Sequence, residues 1–160
     1  MRLRFGAATD PGLVRAGNED CFVADGDLGC FAVVDGMGGH ASGELASATI
    51  AEAFTAFIRE TAGDSDRTWP VGLDARLSVL ANRLQVAIRA ANRTLAARAH
   101  ADAALEGSGA TLVAALFDGH RVAVSNVGDC RAYLLRDGHL SQVSMGESRD
   151  SSIETAQISA

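Results

Sequence analysis

Apolar and polar positions alternate, cluster and recur in three distinct ways along this chain. The first thirty-five residues hold short apolar runs: Leu3 to Thr9, Cys21 to Ala24 and Cys30 to Val34. Runs of this length, bounded by Asp10-Pro11-Gly12 and by Asp25-Gly26-Asp27-Leu28-Gly29, predict strands separated by turns. The second and third runs are close enough to pair as an antiparallel hairpin. An EF-hand reading of Asp25-Gly26-Asp27 fails because the remaining ligand positions are absent.

From Ser42 to Glu60 the period lengthens. Leu45, Ala46, Ala53, Phe54, Phe57 and Ile58 form a helical stripe, with Ser42 as the candidate N-cap. Residues 61–72, with Gly63, Pro70 and Gly72, read as a linker. A second helix is predicted over 73–100, where Leu73, Leu77, Leu80, Leu84, Ile88, Ala91 and Leu95 recur every three or four residues. Its arginines, Arg76, Arg83, Arg89, Arg93 and Arg98, are assigned to a solvated side, and His100 to the surface. After Glu106 the period returns to two. Strands are predicted from Gly107 through Phe117, over Arg121 to Val127, over Ala132 to Leu135 and over His139 to Val143. Asp118-Gly119 and Asp137-Gly138 supply the hairpin turns, which implies an antiparallel meander. Residues 145–160 have weak periodicity and read as a polar, disordered tail.

Composition narrows the class. A chain of 160 residues is long enough for one domain that buries roughly 70% of its unfolded surface. The formal charge of −6 and pI of about 5.1 provide no basic surface for nucleic acid or anionic lipid. No apolar run reaches membrane-spanning length or forms a signal h-region, so a soluble, cytoplasmic protein without membrane partners is expected. Cys21, Cys30 and Cys130 show neither C-x-x-C spacing nor an even count, and read as reduced thiols.

Candidate chemistry sits where the third apolar run ends. Cys30 to Val34 delivers Asp35 to the corner Gly36-Met37-Gly38-Gly39, whose glycines let the backbone approach a ligand. A carboxylate beside an accessible carbonyl is the hard-oxygen environment that Mg or Mn prefers. Arg15 precedes Asn18-Glu19-Asp20, a cluster that the predicted hairpin carries toward Asp35. Gly128-Asp129-Cys130-Arg131 sets an acid and an arginine at a strand junction, where they can face a pocket.

In order, Arg15-x-x-Asn18-Glu19-Asp20, Asp35-Gly36-Met37-Gly38-Gly39, Gly107-x-Gly109-x-Thr111 and Gly128-Asp129-x-Arg131 resemble the metal-dependent protein phosphatases. This is the PPM, or type 2C, family of serine/threonine phosphatases, and the look is of its bacterial branch. The resemblance spans residues 5–143 and implies an α+β fold, an antiparallel β-sandwich flanked by helices. Residues 1–144 would form the N-terminal portion of that domain, incomplete at its C-terminal end. It implies hydrolysis of phosphoserine and phosphothreonine by direct attack of a water bridging two Mn or Mg ions, roughly 3.5–4 Å apart in two-metal sites. By the same resemblance Asp35 bridges the metals and Gly36 binds through its carbonyl. Glu19, Asp20 and Asp129 complete the acidic set, and Arg15 holds the phosphate. Met37 stands where some relatives carry a histidine, and His40 is offset from that place. Two further aspartate motifs of the family, Ser-Asp-Gly and Asp-Asn, are absent, and Asp150 matches neither. The implied partner is a phosphoprotein, the target of a serine/threonine kinase. Truncation also raises three alternatives: an impaired phosphoprotein-binding or regulatory module, a non-functional fragment, and self-association through an exposed sheet edge.

Overall fold

The computed structural model describes residues 3–39, 41–63 and 73–144, and the backbone course of 148–157. The predicted hairpin is present. Strand β1 (Asp20–Asp25) pairs antiparallel with β2 (Cys30–Met37), in a register that sets Asp20 opposite Asp35. The turn between them is plain turn chemistry: the Asp25 carboxylate accepts the Asp27 and Leu28 N–H groups. Helices α1 (Ala41–Glu60) and α2 (Val79–Ala101) follow. Strands β3 (Gly109–Asp118) and β4 (Arg121–Gly128) form the next hairpin. Strands β5 (Tyr133–Arg136) and β6 (His139–Gln142) form another, and β7 spans Ser148–Gln157.

The main sheet is antiparallel in the order β1-β2-β3-β4-β7, while β5 and β6 make a separate two-stranded sheet. Helices and antiparallel sheets thus match the expected class. Among the described residues, the β5–β6 hairpin is almost wholly exposed.

One face of the main sheet is sealed by the helices. Along β2, Cys30, Ala32, Val34 and Gly36 are buried, while Val33, Asp35 and Met37 are exposed. The buried set packs against Ile50, Phe54 and Ile58 of α1, Leu84, Ile88, Ala91 and Leu95 of α2, and Leu112, Ala114 and Leu116 of β3. Alternation therefore places Asp35 on the face that the helices do not cover. There a smaller cluster, Val113, Val122 and Val124, is joined by Ala115, Phe117, Cys130, Ala132 and Val143.

Several expectations are corrected. Leu3 to Thr9 is not a strand: its backbone is irregular, and no strand among the described residues pairs with it. Its apolar character is used in packing instead, with Phe5 edge-on to Phe31 at 5.2 Å between ring centres. The second helix begins at Val79 rather than 73. Ser78 caps it by accepting the Ala81 N–H at 3.1 Å, and the buried Asn82 side chain bonds both backbone groups of Asp74, holding the preceding residues as a turn. Ser42 lies inside the first turn of α1 and is not its N-cap. Its hydroxyl donates to the Gly38 and Gly39 carbonyls.

The solvated arginine face is also only partly right. Arg83 is half-buried and donates to Thr61 Oγ1 at 2.9 Å and to the Ile58 carbonyl, and Arg98 reaches Thr49 Oγ1 at 2.9 Å, so both tie α2 to α1. Arg89, Arg93 and His100 are exposed as expected. The meander is interrupted, since β5 pairs with β6 and not with β4. The segment expected as a tail contains β7, paired antiparallel with β4. A polar sequence forms this strand because the edge of β4 offers a row of N–H and C=O groups that need partners. Most of the expected linker (64–72) lies outside the described residues.

Candidate active site

Strand register brings the chemistry together. Asp20 opens β1 and lies across from Asp35 on β2, which in turn lies across from Thr111 on β3. These three occupy one row at the end of the open sheet face. Residues of the loop from Asp10 to Asn18 line, together with Asp20 and Asp35 of that row, a polar cleft of about 230 Å³ whose lining includes Asp10, Arg15, Asn18 and Glu19.

Asn18 holds the cleft's rim. Its amide nitrogen donates to Thr9 Oγ1 at 2.7 Å, and its oxygen accepts the Asp20 N–H at 3.0 Å. One side chain therefore joins the N-terminal arm to the start of β1. Asp10 turns its own loop by accepting the Gly12 N–H at 2.8 Å. Neither role was read from the sequence. The visible signal was local: an amide two residues before a strand's first residue, and an aspartate before Pro-Gly, both of which satisfy nearby backbone donors.

Close backbone approach explains the glycine corner. The Gly36 N–H donates to the Glu19 carbonyl at 3.1 Å. A Cβ on Gly36 would collide with the Gly43 carbonyl, and one on Gly43 would collide with the Glu19 carboxylate. The first turn of α1 can thus lie directly on β2, and the Glu19 carboxylate is tucked over that turn. Glu19 lines the cleft, but its carboxylate is directed toward Gly43.

The charges are uneven. Asp35 is raised above its ordinary pKa, first by burial, then by the charge of Asp20 and a hydrogen bond with it, then by Asp129, with Arg15 opposing. Asp129 is exposed at the end of β4, close enough for its charge to act on Asp35, but it does not line the cleft. Arg131 is exposed and is not part of the cleft lining. Met37 is half-exposed at 49%, His40 lies outside the described residues, and Asp150 is on β7 with its side chain likewise outside them.

The oxygen donors of Asp20, Asp35 and the Gly36 carbonyl suit a divalent cation in kind. Two carboxylates held in mutual contact are a repulsive arrangement that a cation would relieve. Among the described residues, however, no group of three or more His, Cys, Asp or Glu side chains is gathered tightly enough to hold a metal ion. The carboxylate pair fits the group; the wider set of Glu19 and Asp129 is not drawn onto it.

A helix-backed antiparallel sheet with paired carboxylates at one end and an arginine in the same cleft is an arrangement suited to an anionic ligand and a cation. Compared with solved structures, the chain is similar to the catalytic domain of the serine/threonine protein phosphatase PstP in complex with two manganese ions. The TM-score is 0.78 at 33% identity, covering 98% of this chain and 73% of that one. It is also similar to the Staphylococcus aureus serine/threonine phosphatase Stp1, with a TM-score of 0.67 at 29% identity, covering 87% and 52%. In sequence it is 41% identical over 141 residues to the Mycobacterium tuberculosis serine/threonine protein phosphatase PstP, over 88% of this chain and 24% of that protein. It is 32% identical over 142 residues to the serine/threonine phosphatase stp of Listeria welshimeri, over 84% and 51%. Residues 16–160 match the protein phosphatase 2C family, and the chain belongs to it. It spans about a quarter of the mycobacterial relative and about half of the listerial one.

Proposed function

We propose that this chain is a serine/threonine phosphoprotein phosphatase that uses Mn or Mg, acting on the products of a serine/threonine kinase. The observation that carries the reading is the cleft itself, whose lining brings Arg15 together with the Asp20–Asp35 pair. Asp20, Asp35 and the Gly36 carbonyl would hold the cation, with Asp129 and Glu19 flanking it. When bound, divalent ions supply charge for the phosphoryl oxygens and lower the pKa of water. Arg15 supplies a planar fork of donors that orients a phosphate monoester. The cleft is open and its lining is polar, so a phosphorylated side chain can enter while its peptide stays outside. Among the described residues that line the cleft there is no cysteine, serine or histidine, which is in keeping with direct attack by water.

Hydrolysis of a phosphothreonine peptide with Mn present tests this. Asp35→Asn is expected to remove turnover by at least about 100-fold. Arg15→Ala should raise KM by roughly ten- to hundredfold, from a charged hydrogen bond of about 1.5–3 kcal/mol. Unchanged turnover in Asp35→Asn would falsify the assignment. A second reading is favoured by one observation, that the acids do not close into a tight metal cluster. In that case the chain binds phosphopeptide through Arg15 without hydrolysing it, and binding with no phosphate release would identify this outcome.

A further inference from the structure

We infer that Thr111 is a positioning residue that fixes the loop bearing Asp129 beside the strand that carries Asp35. The phosphatase reading says what these acids hold; the geometry of the inference does not depend on it. Thr111 lies directly across from Asp35 in the β2–β3 register. Its hydroxyl is 3.0 Å from Cys130 Sγ. Its methyl fills the space beside Gly128, where an added Cβ would lie 2.5 Å from Thr111 Cγ2 and 2.7 Å from its Cβ.

Gly128 has φ +85, a conformation that glycine adopts without a steric penalty. The pairing of β4 with β7 breaks its register between Asn126 and Gly128, and the Asn126 amide donates to the Gly128 carbonyl at 3.3 Å. The chain thus turns out of β4 at a defined point and comes back onto β3. Asp129 is the one residue between two neighbours that both touch Thr111. Both halves of the threonine are used, the methyl against Gly128 and the hydroxyl against Cys130, so Thr111 spans the gap between the strand bearing Asp35 and the loop bearing Asp129. A β-branched residue chosen only for strand propensity would need no hydroxyl here.

The test uses the full 160-residue chain and reads two quantities: amide hydrogen exchange of residues 128–131, and Mn affinity by titration calorimetry. Thr111→Val keeps the shape and removes the hydroxyl. It is expected to speed exchange in that loop about tenfold and weaken Mn binding about tenfold, the lower end of the effect of removing a residue that orients a metal ligand. Thr111→Ser, which restores the hydroxyl, should recover both to within about threefold. Cys130→Ala should loosen the loop as Thr111→Val does, breaking the same contact from the other side. In an Asp129→Asn background, Thr111→Val should cost no further Mn affinity, because its effect passes through Asp129. Unchanged loop exchange in Thr111→Val, or losses that add to those of Asp129→Asn, would overturn the inference. Failure of the wild-type chain to bind Mn counts against the proposed function alone, and loop exchange then decides the role of Thr111.

Discussion

The two faces of the five-stranded sheet come from the same strands yet serve different ends. On the inner face Val34, Leu112 and Leu116 are almost fully buried beneath Phe54, Ile58 and Leu84. On the outer face Val33, the residue before Val34, and its cross-strand partner Phe22 are 49% and 41% exposed, and this face ends in the row of Asp20, Asp35 and Thr111. The inner face derives its stability from apolar area removed from water. The outer face leaves carboxylates where solvent, a cation or a phosphate can reach them. A charge is costly inside a core, so a site built on a sheet belongs on the face that the helices leave open.

The largest test of that contrast is cavity formation on the inner face. Leu84→Ala or Phe54→Ala is expected to destabilise the chain by about 3–5 kcal/mol in urea unfolding. A loss below about 1 kcal/mol would mean that the helices do not seal this face. Next comes the polar tie between the helices. Arg83→Met leaves the Ile58 carbonyl and Thr61 hydroxyl without this donor, and should cost about 1–3 kcal/mol while leaving phosphopeptide affinity unchanged.

On the outer face the sign reverses. The pKa of Asp35 is raised in the folded chain above its ordinary 3.8. Folding therefore favours its protonated form, and its contribution is fully present below pH 3.8 and lost as pH rises through the folded value. Asp35→Asn should accordingly raise Tm at neutral pH, with the gain vanishing toward pH 3.8, and should abolish any Mn-dependent rise in Tm. A lower Tm at neutral pH would show that Asp35 stabilises the fold instead. Smallest of all, Phe22→Ser should change unfolding free energy by less than about 0.5 kcal/mol, as expected for a surface position, and should reduce self-association if this face is sticky. A loss comparable to Leu84→Ala would erase the distinction between the faces.

Much of this arrangement was legible in residue order. The runs Cys21–Ala24 and Cys30–Val34, with a turn of aspartates and glycines between them, predict the hairpin that carries the Asn18-Glu19-Asp20 cluster toward Asp35, while the register that sets Asp20 opposite Asp35 comes from the structure. Leu84, Ile88, Ala91 and Leu95 mark the buried stripe of α2 by spacing alone. Arg83 was misread because a guanidinium that crosses to a neighbouring helix has the same spacing as one in water; its target, the end of α1, lies 25 residues away. The strand β7 was missed for a related reason. Its residues carry no apolar alternation, and its partner is the open edge of β4 rather than anything in its own sequence.

What the sequence determined by itself is local: periodicity, turn chemistry at Asp25–Gly29 and Asp118-Gly119, and the acids and arginine that carry the family's pattern. These follow from interactions among residues close in the chain. Only the tertiary structure decided which face Asp35 occupies, that Asn18 ties the N-terminal arm to β1, that Glu19 turns toward Gly43, and that Thr111 meets Gly128 and Cys130, the residues on either side of Asp129. Each of those depends on a contact between elements distant in sequence, where register and packing, not local preference, set which side chains meet.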